Sequence, residues 1–256
     1  MEKLRKPPLV EVVFELHWKS KKGYPDPEYK LLVGAFYEHI RSEFPMFDPL
    51  PTANIPEEAI PPNSKIVQYR FWSEGRNWPV AQLGPGILTV NMNKDYEDWA
   101  TFKPIIENVV EKFFSSHPNK ENLVLERLIL KYLDFFHFDF SKTNVLDYLK
   151  GKLHVNLIVD LGADPRKANL MEVPMNIDLK LEYQIKEPEG VLGFRFFRAS
   201  IEGKEGLVME SYVVSKDFPQ SDLSKEFISL WLNQAHNMTD FIFSNLIRGE
   251  LMEELR

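Results

Sequence analysis

Residues 9–19 read LVEVVFELHWK, and the alternation within this stretch decides the fold class. Apolar side chains recur at every second position, and most of the positions between them are polar. A period of two predicts a β-strand with one buried face and one face in water. The apolar set is Val10, Val12, Phe14, Leu16 and Trp18, and the polar set includes Glu11, Glu15, His17 and Lys19.

Downstream of this strand, helical and strand-like patterns alternate. Apolar residues spaced at i, i+3, i+4 and i+7 over residues 32–44 predict a helix. Residues 45–63 contain six prolines and no periodicity, which predicts a long loop without regular structure. Three short strands are predicted at residues 66–72, 79–83 and 87–92, and a helix at residues 99–113.

The same order of patterns starts again at residue 123. It comprises a strand over residues 123–140, a helix that starts near Leu146 and ends near Gly162, strands over 177–186, 191–201 and 207–214, and a final helix over about 222–248. A local echo accompanies the repeat, because residues 93–96 (NKDY) and 215–218 (SKDF) both leave a predicted strand. The sequence therefore predicts two similar β-α-β-β-β-α halves, residues 1–118 and 119–256, joined as one continuous duplicated domain.

Two halves of this kind predict an α+β fold. The strands would form antiparallel sheet, and the helices would gather on one face of it. This connectivity is similar to that of TATA-binding-protein-like and helix-grip folds, and a similarity of fold carries no function with it.

Composition narrows the class of protein. The chain has 256 residues, 44% of them hydrophobic and 27% charged, which excludes wholesale disorder. No apolar run approaches about 20 residues, so we expect no membrane span and no membrane partner. The lack of cysteine excludes disulfides, thiol catalysis and sulfur-ligated zinc, and it favours the reducing cytoplasm. A net charge of −7 disfavours nucleic acid as a partner.

Four stretches resemble a family of uncharacterised, sporadically distributed prokaryotic proteins of about this length. They are PPLVEV at residues 7–12, YEDW at 96–99, the strand at 127–132, and Ala235-His236 with Phe241 in the last predicted helix. The resemblance implies no established activity, so it assigns no catalytic residue. The family pattern places an acidic residue just before the Ala-His pair, where this chain has Asn233 and Gln234.

Recognised catalytic and cofactor motifs are missing. Gly84-Pro85-Gly86 lacks the Gly-Lys-Ser/Thr sequence of a phosphate-binding loop, and its proline removes an amide that would contact phosphate. Neither a Gly-x-Ser-x-Gly elbow nor a His-Glu-x-x-His motif occurs. We therefore predict no catalytic residue of a known class, no cofactor and no metal site.

Two histidines each lie two residues from a carboxylate in a predicted strand. The pairs are Glu15 with His17 and His137 with Asp139. Residues at i and i+2 share a face of a strand, so each pair can share a proton or a ligand. If the first strands of the two halves are neighbours, all four residues would face one weak ligand-binding site. The alternative is an ordinary solvated sheet face.

Aromatic residues crowd the end of the strand predicted at residues 123–140. They are Phe135, Phe136, Phe138 and Phe140. Alternation cannot place all of them on one face, so both faces need a cover. With the long final helix, this surplus of apolar surface predicts a symmetric homodimer.

Two functional classes remain open. The absence of motifs favours a non-catalytic binding or protein-interaction module with an unknown protein or small-molecule partner. The alternative is an enzyme of unknown class that uses carboxylate and histidine for acid-base chemistry. A concave pocket with converging polar groups and a perturbed pKa would favour the enzyme, and a smooth apolar sheet face would favour a protein partner.

Overall fold

The alternating stretch that opens the chain lies at the centre of the sheet in a computed structural model. The model describes residues 4–23, 26–56, 59–61, 64–93, 95–160, 173–216 and 224–256. The strands are β1 Leu9–Ser20, β2 Met46–Pro49, β3 Tyr69–Ser73, β4 Asn77–Gly84, β5 Ile87–Asn93, β6 Leu123–His137, β7 Asp178–Lys186, β8 Glu189–Ile201 and β9 Lys204–Ser215. The helices are α1 Tyr29–Ile40, α2 Trp99–Ser116, α3 Val145–Lys152, α4 Lys225–Leu246 and α5 Glu250–Leu255.

The strands of the described residues form one antiparallel sheet in the order β2-β3-β4-β5-β1-β6-β9-β8-β7. The two central strands, β1 and β6, are the first strands of the two predicted halves. Outward from β1 the order is β5, β4, β3 and β2, and outward from β6 it is β9, β8 and β7.

Helices cover one face of this sheet. Phe14 and Leu16 of β1 are fully buried in a core that also contains Phe36 of α1, Phe113 of α2 and Trp231 of α4. Because successive side chains of a strand point to opposite faces, Glu15 and His17 lie on the face without helices. The predicted α+β fold with an antiparallel sheet and helices on one side is confirmed.

A second core cluster occupies the far end of the helix-covered face. Phe136 lies one residue before the end of β6. Phe138 and Phe140 follow outside the strand, and all three are buried with Leu149 of α3 and Leu251 of α5. The chain therefore covers these aromatic side chains by itself. The predicted strand was too long by three residues, because the backbone leaves the sheet after His137.

Several element predictions were wrong in detail. Residues 46–49 form the short edge strand β2 inside the predicted loop, so the first half has one more strand than the predicted β-α-β-β-β-α order. The helix predicted from Leu146 to near Gly162 is α3, which ends at Lys152; Gly162 itself lies outside the described residues. Part of the NKDY and SKDF echo, namely Lys94, Asp217 and Phe218, lies outside the described residues.

The prediction of which face of the final helix is buried was also wrong. Leu230 and Phe241 were placed on the buried stripe, yet they are 57% and 59% exposed. The buried residues of α4 are Ile228, Trp231, Leu232, Ala235 and Thr239. The helix therefore presents Ala235 and its neighbour His236 toward α2 and the sheet.

Among the described residues, no helix combines the length and the apolar character that crossing a bilayer would need.

Candidate functional site

A cavity of about 680 Å³ opens on the helix-covered side of the sheet. Its floor is formed by β6 and β9, and its walls are the start of α2, the middle of α4 and the extended segment before β1. The position of the α2 wall follows from a local feature of the sequence. Asp98 caps α2 by accepting a 2.8 Å hydrogen bond from the Thr101 amide, which places Trp99 in the first helical turn beside the cavity.

The deepest carboxyl group in this cavity belongs to Asp134 of β6. Its residue is 4% exposed, and it has no hydrogen-bond or ion-pair partner within the described part of the chain. Burial raises the pKa of Asp134 to about 8, because the charged carboxylate is disfavoured away from water. Asp134 therefore holds its proton at neutral pH.

Ser211 of β9 lines the same floor. It is 1% exposed, and its Oγ has no hydrogen-bond partner among the described residues. Ser211 pairs across the ladder with Tyr132, two residues before Asp134 on β6. Unpaired buried polar groups are rare in folded proteins. Two of them in one cavity therefore indicate a site where a ligand would supply the missing hydrogen bonds.

His236 of α4 forms the polar side of the cavity wall with three aromatic residues. The Tyr132 hydroxyl lies 2.9 Å from His236 Nδ1, and the Trp99 ring stacks on the imidazole at 4.5 Å between centroids. Tyr96 meets Tyr132 edge to face at 6.2 Å. Burial lowers the pKa of His236, although the nearby Asp240 carboxylate opposes this shift. A neutral His236 can accept the Tyr132 proton at Nδ1 in its Nε2-protonated tautomer.

The cavity is rich in acidic groups. Glu97, Asp98, Asp134 and Asp240 all line it, and no lysine or arginine does so among the residues that the structure describes. Burial raises the pKa of Tyr96 to about 12 and that of Tyr132 well above its ordinary value, so both phenols are neutral. At neutral pH the charges of the described lining are therefore negative.

Of the predicted site residues, Glu15 and His17 do form a pair. His17 Nε2 lies 2.8 Å from Glu15 Oε2, and Lys131 Nζ lies 3.3 Å from the other carboxylate oxygen. Burial works against ionisation of Glu15, but the hydrogen bond with His17 and the charge of Lys131 leave its pKa below its ordinary value. This pair lies on the face without helices and does not line the cavity.

The other predicted pair does not form. His137 is exposed at the end of β6, and Asp139 instead bonds the Ser141 amide at 2.9 Å and pairs with Lys142. In the β1–β6 ladder His17 lies opposite Arg127, ten residues from His137. At about 3.3 Å per residue, the two histidines are roughly 33 Å apart. The prediction of one site shared by Glu15, His17, His137 and Asp139 was wrong.

A buried cluster of ligand-type side chains joins the turn before α1 to the end of α2. Asp26, Glu28 and His117 each offer an atom within 4.8 Å of the others. His117 Nδ1 accepts from the Asn119 amide at 3.2 Å, and Nε2 donates to Asp26 at 2.9 Å. The nitrogen that faces Asp26 thus already carries a proton, so the arrangement is explained as a buried hydrogen-bonded pair that fastens two elements together.

The cavity residues were missed at the level of sequence, although two signals were present. His236 and Asp240 are four residues apart and therefore share one side of a helix. Moreover, all four stretches that resemble the prokaryotic family, residues 7–12, 96–99, 127–132 and 235–236, contribute to this cavity. Asn233, which stands near the departure from the family pattern, accepts from Trp99 Nε1 at 3.2 Å.

Comparisons with known proteins leave the function open. No protein-family model matches the chain, and no curated protein matches it. Similar solved structures include the TBP of Methanococcus jannaschii, with 9% identity, a TM-score of 0.23, and coverage of 97% of this chain and 98% of that one. Another is the di-domain ARO/CYC StfQ from the steffimycin biosynthetic pathway, with 10% identity, a TM-score of 0.21, and coverage of 96% and 98%. Similarity at this level carries no argument about function.

Proposed function

We propose that the protein binds a small organic molecule in the cavity between α2, α4 and the sheet. The observation that carries this proposal is the pair of buried polar groups on the floor of one cavity, the Asp134 carboxyl and the Ser211 hydroxyl, neither of which has a partner among the described residues. Removing a carboxyl group and a hydroxyl group from water without partners is costly, and a ligand that bonds them offsets this cost. The volume also suits a small molecule, because ligand pockets commonly span about 300–1,000 Å³.

A protein-interaction role on the face without helices has less support. Near its centre that face carries a continuous hydrogen-bonded chain whose polar residues on β4 and β5 are themselves buried. Gln82 donates to Thr89 at 3.3 Å, Thr89 to Asn91 at 2.7 Å, and Asn91 to Glu11 at 2.7 Å. These groups already satisfy one another, so a protein partner would gain little by covering them.

Acid-base catalysis in the same cavity is the second candidate, and the Asp134 carboxyl favours it. A carboxylic acid that is still protonated at neutral pH can donate a proton, and the neutral His236 beside Tyr132 can accept one. Conversion of a bound molecule, detected by mass spectrometry and abolished by Asp134→Asn, would establish this role.

The binding proposal is tested by fragment screening with ligand-observed NMR. Asn237 is exposed on α4 at the rim of the cavity, so Asn237→Trp should block entry without disturbing the core. Glu226→Trp, exposed on the same helix and outside the cavity, is the matched control. We expect fragments that bind the wild type and Glu226→Trp and that are lost from Asn237→Trp. Fragments that bind Asn237→Trp unchanged would contradict the proposal.

Three further predictions from the sequence stay proposals. The matching order of strands on the two sides of β1 and β6 supports an origin by internal duplication. Membership of the prokaryotic family rests on the four stretches quoted above, and a cytoplasmic location rests on the absence of cysteine.

A further inference from the structure

We propose that the ligand of this cavity is a small organic cation, an aromatic or alkyl amine whose ammonium group pairs with the Asp134 carboxylate beside the Trp99 and Tyr96 rings. This inference rests on the proposed function and names the chemical class of its ligand. It follows from the charge of the lining, from its aromatic walls and from the groups on its floor.

The charge of the lining selects against anions. Glu97, Asp98 and Asp240 line the cavity and are more exposed than Asp134, and the described lining contains no lysine or arginine to neutralise an acidic ligand. The Asp98 carboxylate is partly compensated by the start of α2, which it caps. Asp240 and Glu97 form no ion pair with a described residue, so their field attracts a cation and repels a carboxylate or phosphate.

The aromatic walls add a second preference for a cation. Trp99, Tyr96, Tyr132 and Phe243 all line the cavity. The faces of aromatic rings attract ammonium groups, and tryptophan attracts them best. One face of Trp99 is occupied by His236, and Trp99 also lines the cavity. Because burial keeps His236 neutral, the imidazole does not compete as a cation.

The floor supplies the acceptors that an ammonium group needs. The Asp134 carboxylate and the Ser211 hydroxyl are both without partners among the described residues, and an ammonium group has three N–H donors for such acceptors. Binding would require Asp134 to lose its proton to water, after which the carboxylate and the ammonium form a charge-assisted pair. An anion bound to the protonated acid would gain one hydrogen bond while facing three other carboxylates.

Three probes that share one aromatic ring test this preference. They are 2-phenylethylamine, 2-phenylethanol and 3-phenylpropionate, and their affinities would be measured by calorimetry on the full-length protein. We expect the amine to bind at least about tenfold more tightly than the carboxylate, with the alcohol between them. In Asp134→Asn the amine should fall to the affinity of the alcohol, whereas the exposed control Asp147→Asn should behave as wild type.

The affinity for the amine should also depend on pH. The groups that face Asp134 across the cavity are Tyr132 on β6, His236 and Asp240 on α4, and Tyr96, Glu97 and Asp98 before α2; the described residues of β9 and of the segment before β1 line it with no ionisable side chain. The N-terminal ammonium group also acts on His236, and its charge lowers the pKa of that imidazole. Between about pH 6.5 and 8.5 Asp134 changes from mostly neutral to mostly charged, and an α-amino group, with an ordinary pKa of about 7.7–8.0, loses its charge in the same range. Amine binding should strengthen about tenfold or more over this range, and Asp134→Asn should remove most of the dependence.

The outcomes separate the two proposals. If the alcohol binds and is lost from Asn237→Trp, but the carboxylate binds as tightly as the amine, the cavity binds ligands and the inference of a cation is wrong. That inference is also wrong if Asp134→Asn leaves the affinity for the amine unchanged. If no probe binds at millimolar concentration, both proposals fall.

Discussion

Asp134 is a buried carboxyl group to which no described residue supplies a hydrogen bond or an opposite charge. Such a group costs stability wherever the unfolded chain would ionise it and the folded chain would not. Burial of this group therefore lowers the stability of the folded protein, and a bound ligand would offset that cost. Asp26 behaves differently. It is equally buried but bonds His117, and its pKa is lowered in spite of burial.

The pH dependence of stability should report this cost. The pKa of Asp134 is about 8 in the folded protein and near its ordinary value of 3.8 in the unfolded chain. Between these values the folded state holds one more proton, so stability falls as pH rises, by about 1.4 kcal/mol per pH unit. In Asp134→Asn this loss should be absent, and its stability relative to wild type should increase by a few kcal/mol from pH 4 to pH 8. Urea denaturation at several pH values measures the difference in free energy of unfolding between Asp134→Asn and the wild type, with Asp147→Asn as the control.

The candidate site also shows which contacts the local sequence can predict and which it cannot. The i, i+2 spacing predicted the Glu15–His17 contact, because that contact depends only on the local geometry of a strand. It did not predict the distance between His17 and His137, which depends on the register of β1 against β6. Tyr132, Asp134 and His236 come together only through strand pairing and the docking of α4, so no local spacing points to them as a set.

At the scale of elements, the strands were predicted better than the helices. Alternation identifies a strand and its two faces directly, and the observed bounds of β1, β7 and β9 lie within three residues of the prediction. The face of α4 was misassigned because apolar residues occur on more than one side of it. In the structure the side of α4 with Ala235 and Thr239 is buried, because these small residues allow the helix to pack closely against α2 and the sheet.

Two glycines test how tightly the elements are joined. A Cβ at Gly84 of β4 would lie 1.9 Å from the Ile66 carbonyl oxygen, whereas one at Gly34 of α1 would meet nothing within 4 Å. We expect Gly84→Ala to destabilise the protein by about 2 kcal/mol, because residues 64–68 must move away from β4. Gly34→Ala should stabilise it by about 0.8 kcal/mol, since alanine favours the helix. Chemical denaturation measures both, and a neutral Gly84→Ala would show that this contact is loose.

At the scale of the whole molecule, the two predicted halves share one sheet and contribute together to the main core. β1 pairs with β6 along almost its full length, and the main core contains Phe14 from the first half with Leu128 and Trp231 from the second. Cutting between the halves would expose the edge of β1 and remove Trp231 from the core. The described parts therefore depend on each other for burial.

This dependence predicts a single cooperative unfolding transition. Tryptophan fluorescence and far-ultraviolet circular dichroism should give coincident denaturation curves. Residues 1–118 and residues 119–256, expressed separately, should each lack a cooperative transition. If either fragment unfolds cooperatively by itself, the halves are independent domains and the interpretation of one continuous domain is wrong.

The homodimer predicted from the sequence stays a prediction with narrower support. Phe136, Phe138 and Phe140 are buried within the chain, so they require no second subunit. The exposed Leu230 and Phe241 of α4 still offer an apolar surface. Light scattering should give a mass of twice 30.0 kDa for the wild type, and Leu230→Glu with Phe241→Glu should halve it. A wild type that is monomeric at about 100 μM would contradict the dimer.

By itself, the sequence determined the class of fold, because strand alternation and helical spacing are local patterns that survive in any tertiary context. The composition also limits the chemistry available to the chain, because the chain has no cysteine and more acidic than basic residues. Only the tertiary structure decided where chemistry can occur. Asp134, Ser211 and His236 lie on three elements far apart in the chain, and their burial, pKa values and common cavity arise from packing that no single segment encodes.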